Sequence, residues 1–428
     1  MRDDETSPQT VTRTMSPATP AAPRTGAPAP QAGPAPWLIR LVVVGLVLTA
    51  LNLRPAITSL GALLEEVRDG LHMSGSVAGV LTSVPPLCFA VFGIMAPRLA
   101  RRFGPGAVVC AGMVAIAAGL AIRPLVGGTA GFLAASALAL MGIAVSNVLM
   151  PVIVKRWFPD RVGSMTGLYS MALALGTSLA AAVTVPMTEA MGGSWKAGLG
   201  IWAALAAAAI LPWIPLVRDR TGAPGQPAEH RQEAPALRIT RSRTAWGLAC
   251  FFGLQATAAY ITMGWMPQIF RDAGVSAGTA GVLLAVTMAM GVPLAFVIPR
   301  VAARIKNQGP IVVFLGACGL IGYAGLYLAP AGGAWAWALL LGISNCAFPL
   351  ALTMIGMRSR SGAGVVRLSA FAQSTGYLIS IPGPLLVGVL YQHSGGWGLP
   401  IALMAALMVP QMVAGIIAGR DRTIEDEC

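Results

Sequence analysis

The chain has 428 residues, of which 56% are hydrophobic and only 11% are charged, and its mean hydropathy is +0.72. This composition exceeds what a water-soluble domain needs to fill its core, so most of the chain lies in lipid. The net charge of +13 would suit a nucleic-acid partner, but the basic residues are dispersed between apolar runs instead of clustering on one polar face, which argues against that class.

The first segment in chain order is a polar N-terminal stretch. Residues 1–36 are rich in Pro, Ala and Thr, and they lack the apolar run that follows the basic residues of a secretory signal. Segments of this composition cannot bury enough apolar surface to fold. We therefore predict a disordered cytoplasmic tail at 1–36.

Twelve apolar stretches follow, each of about the 20 residues that an α-helix needs to cross a bilayer. The first six predicted spans are 37–60, 76–97, 106–123, 130–154, 162–188 and 197–217. The second six are 244–270, 277–300, 310–329, 334–357, 365–391 and 397–419. They predict an all-α membrane protein with two six-helix bundles, at 37–217 and 244–419. A cytoplasmic linker at 218–243 joins the bundles, and a cytoplasmic tail at 420–428 ends the chain.

The distribution of Lys and Arg predicts the orientation of the spans, because short cytoplasmic loops retain positive charge. With both termini in the cytoplasm, 24 of the 29 basic residues fall on the cytoplasmic side, whereas the inverted topology reverses this ratio. The charge of +13 is therefore mainly a topology signal.

The two halves contain an internal repeat. At an offset of 202, SGSVAGVL at 74–81 aligns with SAGTAGVL at 276–283, with five of eight residues identical. Further along, Asn147 corresponds to Asn345 and Gly176 to Gly376. Because each half has an even number of spans, the halves share one orientation and are related by an axis along the membrane normal, as in transporters that rock one half against the other.

Several motifs give the chain a family resemblance. The basic loop PRLARRFG at 97–104 recurs as PRVAARIKNQG at 299–309, and NLRPAITSLG occupies 52–61. These features resemble the major facilitator superfamily, and the last is similar to the first-span signature of its cyanate and nitroimidazole transporter branch, CynX/NimT. The resemblance implies the major facilitator fold and alternating-access transport of a small solute.

The two basic loops are also where the chain departs from the superfamily pattern. The resemblance implies cytoplasmic gate loops, whose arginines here are Arg98, Arg102, Arg300 and Arg304. An acidic residue usually precedes the first arginine, but Pro97 stands in its place, so the charge lock built on that acid is not expected intact. The arginines either meet helix C-termini and carboxylates or serve only as topology signals.

Arg54 is the basic residue that topology does not explain. It lies well inside the first predicted span, where a cation costs on the order of 3 kcal/mol by insertion scales, and no Asp or Glu falls in the middle of any span. Pro55 removes a backbone donor and frees a carbonyl one turn earlier. Arg54 is therefore either an inward-facing anion site or a structural cation that snorkels or binds freed carbonyls.

Further polar residues fall on spans that the resemblance places around a central cavity, with spans 1, 4, 7 and 10 lining it and spans 2, 5, 8 and 11 flanking it. The candidates on the lining spans are Asn52, Asn147, Gln255, Tyr260 and Asn345. Those on the flanking spans are Tyr169, Gln373 and Tyr377. Each amide either binds solute or makes an interhelical hydrogen bond that only fastens the bundle.

Three candidates lie elsewhere on the spans. Trp265 is either an interfacial anchor or a pocket wall. Arg123, at the outer end of span 3, resembles another arginine of the family and either draws anions into a vestibule or caps a helix C-terminus. Glu66, at the outer end of span 1, is either a coupling site or a solvated helix end.

These observations favour a transporter over other classes. The sequence has no HExxH, GxSxG or GxxxxGK[ST] motif, so we expect no enzyme activity, cofactor or metal. The leading hypothesis is a secondary or facilitative transporter of a small anionic or polar, cyanate-like solute. The alternatives are efflux of a nitroaromatic compound by the same fold, and a membrane sensor or scaffold without transport. The expected partners are the solute and membrane lipid, and we expect a monomer in a bacterial-type cell membrane.

Overall fold

A computed structural model describes residues 36–217, 238–360 and 362–427. The predicted N-terminal tail, apart from Pro36, and most of the predicted linker lie outside the described residues. The described chain forms helices joined by short connections. Twelve of these helices or helix pairs are long and apolar enough to cross a membrane, which confirms the predicted number of spans.

The bounds of the spans agree with the predicted ones to within a few residues at most ends. Spans 1 to 6 are Pro36–Ala62, Gly75–Phe103, Pro105–Ile122, Thr129–Trp157, Ser164–Ala190 and Trp195–Val217. Spans 7 to 12 are Arg243–Asp272, Ala277–Arg304, Gly309–Leu328, Ala334–Met357, Arg367–Ser394 and Gly398–Ala418. Span 2 runs further than hydropathy predicts, because its helix continues through the charged residues that follow the apolar stretch.

Serine caps begin three of the long helices. The side-chain oxygens of Ser74, Ser242 and Ser276 each accept a hydrogen bond from the backbone N–H three residues later, at 3.1 to 3.3 Å. Such caps satisfy a donor that the first helical turn leaves free. Ser74 and Ser276 are related by the repeat offset of 202, so the same local signal begins spans 2 and 8 in the two halves.

Spans 1, 8 and 10 are each interrupted one to three residues before a proline. Span 1 breaks at Leu53 and Arg54, span 8 at Met290, and span 10 at Cys346. Proline has no N–H to donate to the carbonyl four residues earlier, and its ring crowds that carbonyl. Each break therefore leaves a backbone oxygen for another partner, and the carbonyl of Asn345 accepts the side-chain amide of Gln255 at 3.3 Å.

The repeat seen in the sequence is also a repeat of helix packing. A Cβ atom on Gly176 in span 5 would lie 2.9 Å from the Cα of Leu51 in span 1. A Cβ atom on Gly376 in span 11 would lie 3.0 Å from the backbone N of Gly253 in span 7. Leu51 and Gly253 differ by the repeat offset of 202, so each half uses a glycine at the same crossing to bring two backbones together.

The two halves meet mainly at one end of the bundle, which we call the far end because the C-terminal residues lie at the other, the tail end. At the far end, span 2 packs closely on span 11, and span 8 on span 5. Glycines allow both contacts: a Cβ atom on Gly79 would lie 2.9 Å from the carbonyl O of Leu385, and one on Gly281 would lie 2.6 Å from that of Ala181. The far end is therefore closed.

At the tail end, the last residues dock on spans 7 and 10. Glu427 accepts hydrogen bonds from the Ser242 hydroxyl at 2.6 Å and from the Thr244 amide and hydroxyl, both at 2.9 Å. Ile424 is fully buried, and its N–H donates to the carbonyl of Arg358 at 2.9 Å. The described part of the predicted tail is thus packed against the second half.

Candidate functional site

The break in span 1 places Arg54 between the two halves. Its backbone leaves the helical region at φ −125°, and the helix resumes at Pro55. The guanidinium interacts most directly with the hydroxyl of Tyr260 and lies close to the hydroxyls of Tyr377 and Tyr169. Its Cζ lies 5.9 Å from the ring centroid of Phe89. We call these five residues, which come from spans 1, 2, 5, 7 and 11, the Arg54 cluster.

Arg54 has no acidic partner among the described residues. The described ion pairs involve other arginines and lie at the ends of the bundle. The groups around Arg54 are instead neutral hydroxyls and aromatic rings, so the cluster carries a net positive charge. A half-buried cation with hydroxyls beside it is suited to hold an anion that supplies the missing negative charge.

Aromatic rings form the walls of the Arg54 cluster. Phe89 stacks on Tyr377, with ring centroids 5.0 Å apart and planes at 24°, and Phe252 meets the same tyrosine edge-on at 5.2 Å. Phe89 also contacts Tyr260 at 6.5 Å. Sequence reasoning did not select Phe89 or Phe252, because nothing in a local apolar run distinguishes a cavity-facing phenylalanine from a core one.

The repeat-equivalent amides bind partners within their own halves. The Tyr169 hydroxyl donates to Asn147 Oδ1 at 2.5 Å, which orients that hydroxyl beside Arg54. In the second half, Gln255 Nε2 donates to Asn345 Oδ1 at 3.2 Å. Gln373 donates to Ser369 Oγ one turn earlier in the same helix, at 2.7 Å. Asn147 thus contacts the cluster through Tyr169.

Asn52 and Trp265 also lie outside the Arg54 cluster. Asn52 is buried and its side-chain amide donates to the carbonyls of Leu48 at 2.8 Å and Leu205 at 3.3 Å, so it faces span 6 and fastens the first half. Trp265 is fully buried at the far end, where its indole N–H donates to Thr82 Oγ1 at 3.1 Å. This bond joins span 7 to span 2 and therefore links the two halves.

Glu66 takes part in the closure of the far end. Arg271 at the end of span 7 forms ion pairs with Glu66 at 2.9 Å and Glu65 at 2.8 Å. These pairs connect the second half to the short helix Leu64–Gly70 that follows span 1. The sequence does not reveal that Arg271 pairs with Glu66, since 205 residues separate the two.

The predicted gate-loop arginines lie on the surface of the tail end. Arg98, Arg102, Arg300 and Arg304 are all exposed. Arg300 donates to the carbonyl of Phe296 in its own helix at 2.9 Å, and Arg102 lies over the ring of Phe103. Within the described part of the chain, none of the four forms an ion pair, which fits the absence of the acid at Pro97.

Arg123, in contrast to these exposed arginines, is almost completely buried. It is 1% exposed at the end of span 3, where its Nη1 donates to the carbonyl of Ala56 at 3.3 Å. Its Cζ lies 5.3 Å from the ring centroid of Phe132. The structure therefore places a buried cation on the far-end side of the half-buried Arg54.

Comparison with known proteins extends these observations. Residues 42–359 match the family model described as the Major Facilitator Superfamily. The fold is similar to the crystal structure of the nucleoside transporter NupG, with a TM-score of 0.70 at 15% identity over 89% of this chain and 98% of that one.

Three curated relatives match most of the chain. The uncharacterized transporter YycB of Bacillus subtilis is 37% identical over 91% of this chain and 94% of its own length. The 2-nitroimidazole transporter of Escherichia coli is 32% identical over 90% and 96%. The cyanate transport protein CynX of Escherichia coli is 30% identical over 86% and 94%. The chain therefore belongs to the major facilitator superfamily, in the branch of the cyanate and 2-nitroimidazole transporters, and is a multi-pass membrane transporter.

Proposed function

We propose that this chain moves a small anion across the membrane by alternating access, and that Arg54 binds its negative charge. The observation that carries the proposal is the guanidinium at the break of span 1, which lies among three tyrosine hydroxyls and has no carboxylate partner in the described chain. The relative named as a cyanate transport protein supports an anion of this size.

The chemistry of the cluster favours a small anion with more than one acceptor atom. A guanidinium presents its N–H groups in a rigid plane and binds planar anions through two parallel hydrogen bonds. The hydroxyls of Tyr260 and Tyr377 add donors for the remaining lone pairs, whereas the single proton of the Tyr169 hydroxyl is already donated to Asn147. The face of Phe89 lies against the guanidinium and so leaves the in-plane edge of Arg54 for the solute.

The closed far end indicates how the site changes its access. Glycine contacts, the bond of Trp265 to Thr82 and the ion pairs of Arg271 close the bundle on one side of the Arg54 cluster. The solute therefore enters or leaves from the tail end in this conformation. By the distribution of basic residues, the tail end is cytoplasmic. Rocking of the halves about the cluster would separate these contacts and expose the site on the other side.

Transport into proteoliposomes that contain only this protein tests the proposal. Labelled cyanate exchange is measured for the wild type, Arg54→Ala, Arg54→Lys and the matched control Arg101→Ala, whose arginine is exposed at the tail end. Loss of a hydrogen-bonded charge costs about 2 kcal/mol, or about thirtyfold in kcat/KM. We expect at least this loss in both Arg54 variants, because an ammonium lacks the planar fork, and none in the control. Wild-type exchange of every tested anion by a correctly inserted Arg54→Ala protein contradicts the role of Arg54.

The aromatic walls support a second candidate, efflux of a nitroaromatic compound. Phe89, Tyr377 and Phe252 provide ring faces and edges beside the guanidinium, and one relative is named a 2-nitroimidazole transporter. A nitro group is planar and carries partial negative charge on both oxygens. Phe89→Leu separates the candidates, because it removes a stacking surface and keeps the cation. Loss of 2-nitroimidazole resistance in cells with cyanate exchange retained favours efflux, whereas equal retention of both contradicts it.

A further inference from the structure

A narrow cavity lies beside Arg123, on the far-end side of the Arg54 cluster. Helices of both halves enclose it: spans 1 and 2 contribute Gly61 and Thr82, Arg123 closes it at the end of span 3, Ser136 lies on span 4, and Tyr260 comes from span 7. Tyr260 belongs to the Arg54 cluster and also lines this cavity, so the two sites share one side chain.

The polar groups of this cavity are not satisfied by the described residues. Arg123 is 1% exposed, yet its Nε and Nη2 have no hydrogen-bond partner in the described chain, and its bond to the carbonyl of Ala56 is long at 3.3 Å. The hydroxyl of Ser136, which is fully buried, also lacks a partner there. Buried polar groups of this kind are normally paired with protein groups, water or an ion, so Arg123 and Ser136 have polar atoms available to a ligand.

The ligand that the free polar atoms of Arg123 and Ser136 favour is a small anion. A guanidinium has only donors, so its partner must supply acceptor atoms. No described carboxylate reaches Arg123, and burial of a cation without a counter-charge is costly. Water provides acceptors but no charge. An anion held by Nε and Nη2, with a hydrogen bond from Ser136, provides both.

We propose that Arg123 and Ser136 form a second binding subsite for the same class of small anion. The inference rests on the proposed transport function and adds a second binding position to the transport path. An anion that crosses from the far end meets Arg123 first and passes Tyr260 to reach Arg54. The cavity is narrow because the far end is closed. At this closure, span 7 packs so tightly on span 2 that a Cβ atom on Gly264 would lie 2.8 Å from the side chain of Thr82. The subsite therefore fills as the far end opens.

Anion-dependent thermal stability of the purified full-length protein tests the subsite, because a bound ligand raises the unfolding midpoint. Sodium cyanate and, separately, sodium nitrate are titrated against sodium gluconate at constant ionic strength. The variants are Arg123→Gln, Arg54→Gln, the double variant and the exposed control Arg101→Gln. We expect the control to respond like the wild type, each single variant to lose part of the shift, and the double variant to lose all of it.

Two milder variants cover the case in which Arg123→Gln does not fold. Arg123→Lys keeps the charge without the fork, and Ser136→Ala removes one donor at little cost in volume. The subsite predicts that Ser136→Ala raises the apparent dissociation constant for cyanate about three- to tenfold, which corresponds to the loss of one hydrogen bond. An unchanged dissociation constant in Ser136→Ala, with no folded Arg123 variant to set against it, overturns the subsite.

The outcomes separate the subsite from the proposed function. A folded Arg123→Gln protein with the full wild-type response refutes the subsite and leaves the role of Arg54 intact. A full response with full transport in Arg54→Gln, combined with a lost response in Arg123→Gln, supports the subsite and refutes the role of Arg54. If neither anion raises the unfolding midpoint of the wild type, the subsite is overturned. The proposed function is then tested by the transport measurements alone.

Discussion

Closure of the far end depends on glycine at position 388, where span 11 crosses span 2. A Cβ atom on Gly388 would overlap the carbonyl O of Gly75 and lie 2.8 Å from the Cα of Gly79, whereas ordinary contacts of this kind are 3.4 to 4 Å. Both neighbours are backbone atoms, which cannot move aside as a flexible side chain does. Gly388→Ala therefore forces the two helices apart wherever they are in contact.

The structure allows the size of this effect to be estimated. Overpacking by one methyl group costs about 1 to 3 kcal/mol, and a bias of this size shifts a two-state equilibrium about 5- to 150-fold. The cost falls only on the closed conformation, because the contact with Gly75 and Gly79 does not exist once the halves separate there. Gly388→Ala should therefore shift the population toward an open far end without loss of folding.

Distance measurements between spin labels at the far end report this population. Labels are attached through Asp69→Cys and His393→Cys, at exposed positions in opposite halves, in a background without native cysteines. The matched control is Gly278→Ala in span 8, where an added Cβ atom meets nothing within 4 Å. We expect a longer distance to gain population in Gly388→Ala and the wild-type distribution in Gly278→Ala.

The same experiment contains the result that refutes the reasoning. If Gly388→Ala and Gly278→Ala give the same distance distribution, the crossing of spans 2 and 11 does not control closure. This holds also if both distance distributions differ from the wild type by the same amount. Such a change would reflect the replacement of glycine by alanine in any helix and not the overlap with span 2.

Three further predictions concern other contacts. Arg271→Gln removes the ion pairs that join the halves and should open the far end less than Gly388→Ala does, because such partly exposed pairs contribute about 0.2 to 1 kcal/mol; the spin-label distances measure this, and high salt should reproduce it in the wild type. Tyr377→Phe removes a hydroxyl beside Arg54 and should raise the KM for cyanate exchange about tenfold, whereas an unchanged KM would exclude a contact with solute. Burial by itself would raise the pKa of Glu427, but hydrogen bonds from Ser242 and Thr244 outweigh it and hold this pKa below its ordinary value of 4.5. The docked tail is therefore stabilised above about pH 4.5 and is released as the pH falls through the lowered pKa, which the mobility of a spin label at Arg420→Cys should show in the wild type and not in Glu427→Gln.

In the interrupted spans, the local sequence determines where a helix breaks, and tertiary contacts determine which groups bind the freed backbone atoms. A proline predicts that span 1 can break near Arg54, because the ring removes one helical hydrogen bond wherever it stands. The direction in which the freed groups turn depends on neighbours. The Asn345 carbonyl is taken by Gln255, whereas the break at Arg54 opens toward tyrosines from three other spans.

The sequence by itself determined the twelve spans, the repeat and the isolation of Arg54, because hydropathy, charge and periodicity are properties of neighbouring residues. Repeat matching also related Asn147 to Asn345, and the structure gives each a partner in its own half. These features are written along the chain, so they require no knowledge of which helices touch.

Only the tertiary structure decided which side chains share a space. It turned Asn52 toward span 6, brought Phe89 to Arg54, paired Arg271 with Glu66, and left Arg123 without a described counter-charge. Each of these facts depends on how one helix is rotated against another, and some join residues about 200 positions apart. In a bilayer, apolar residues face both lipid and neighbouring helices, so hydropathy does not reveal that rotation, and only packing of the whole bundle does.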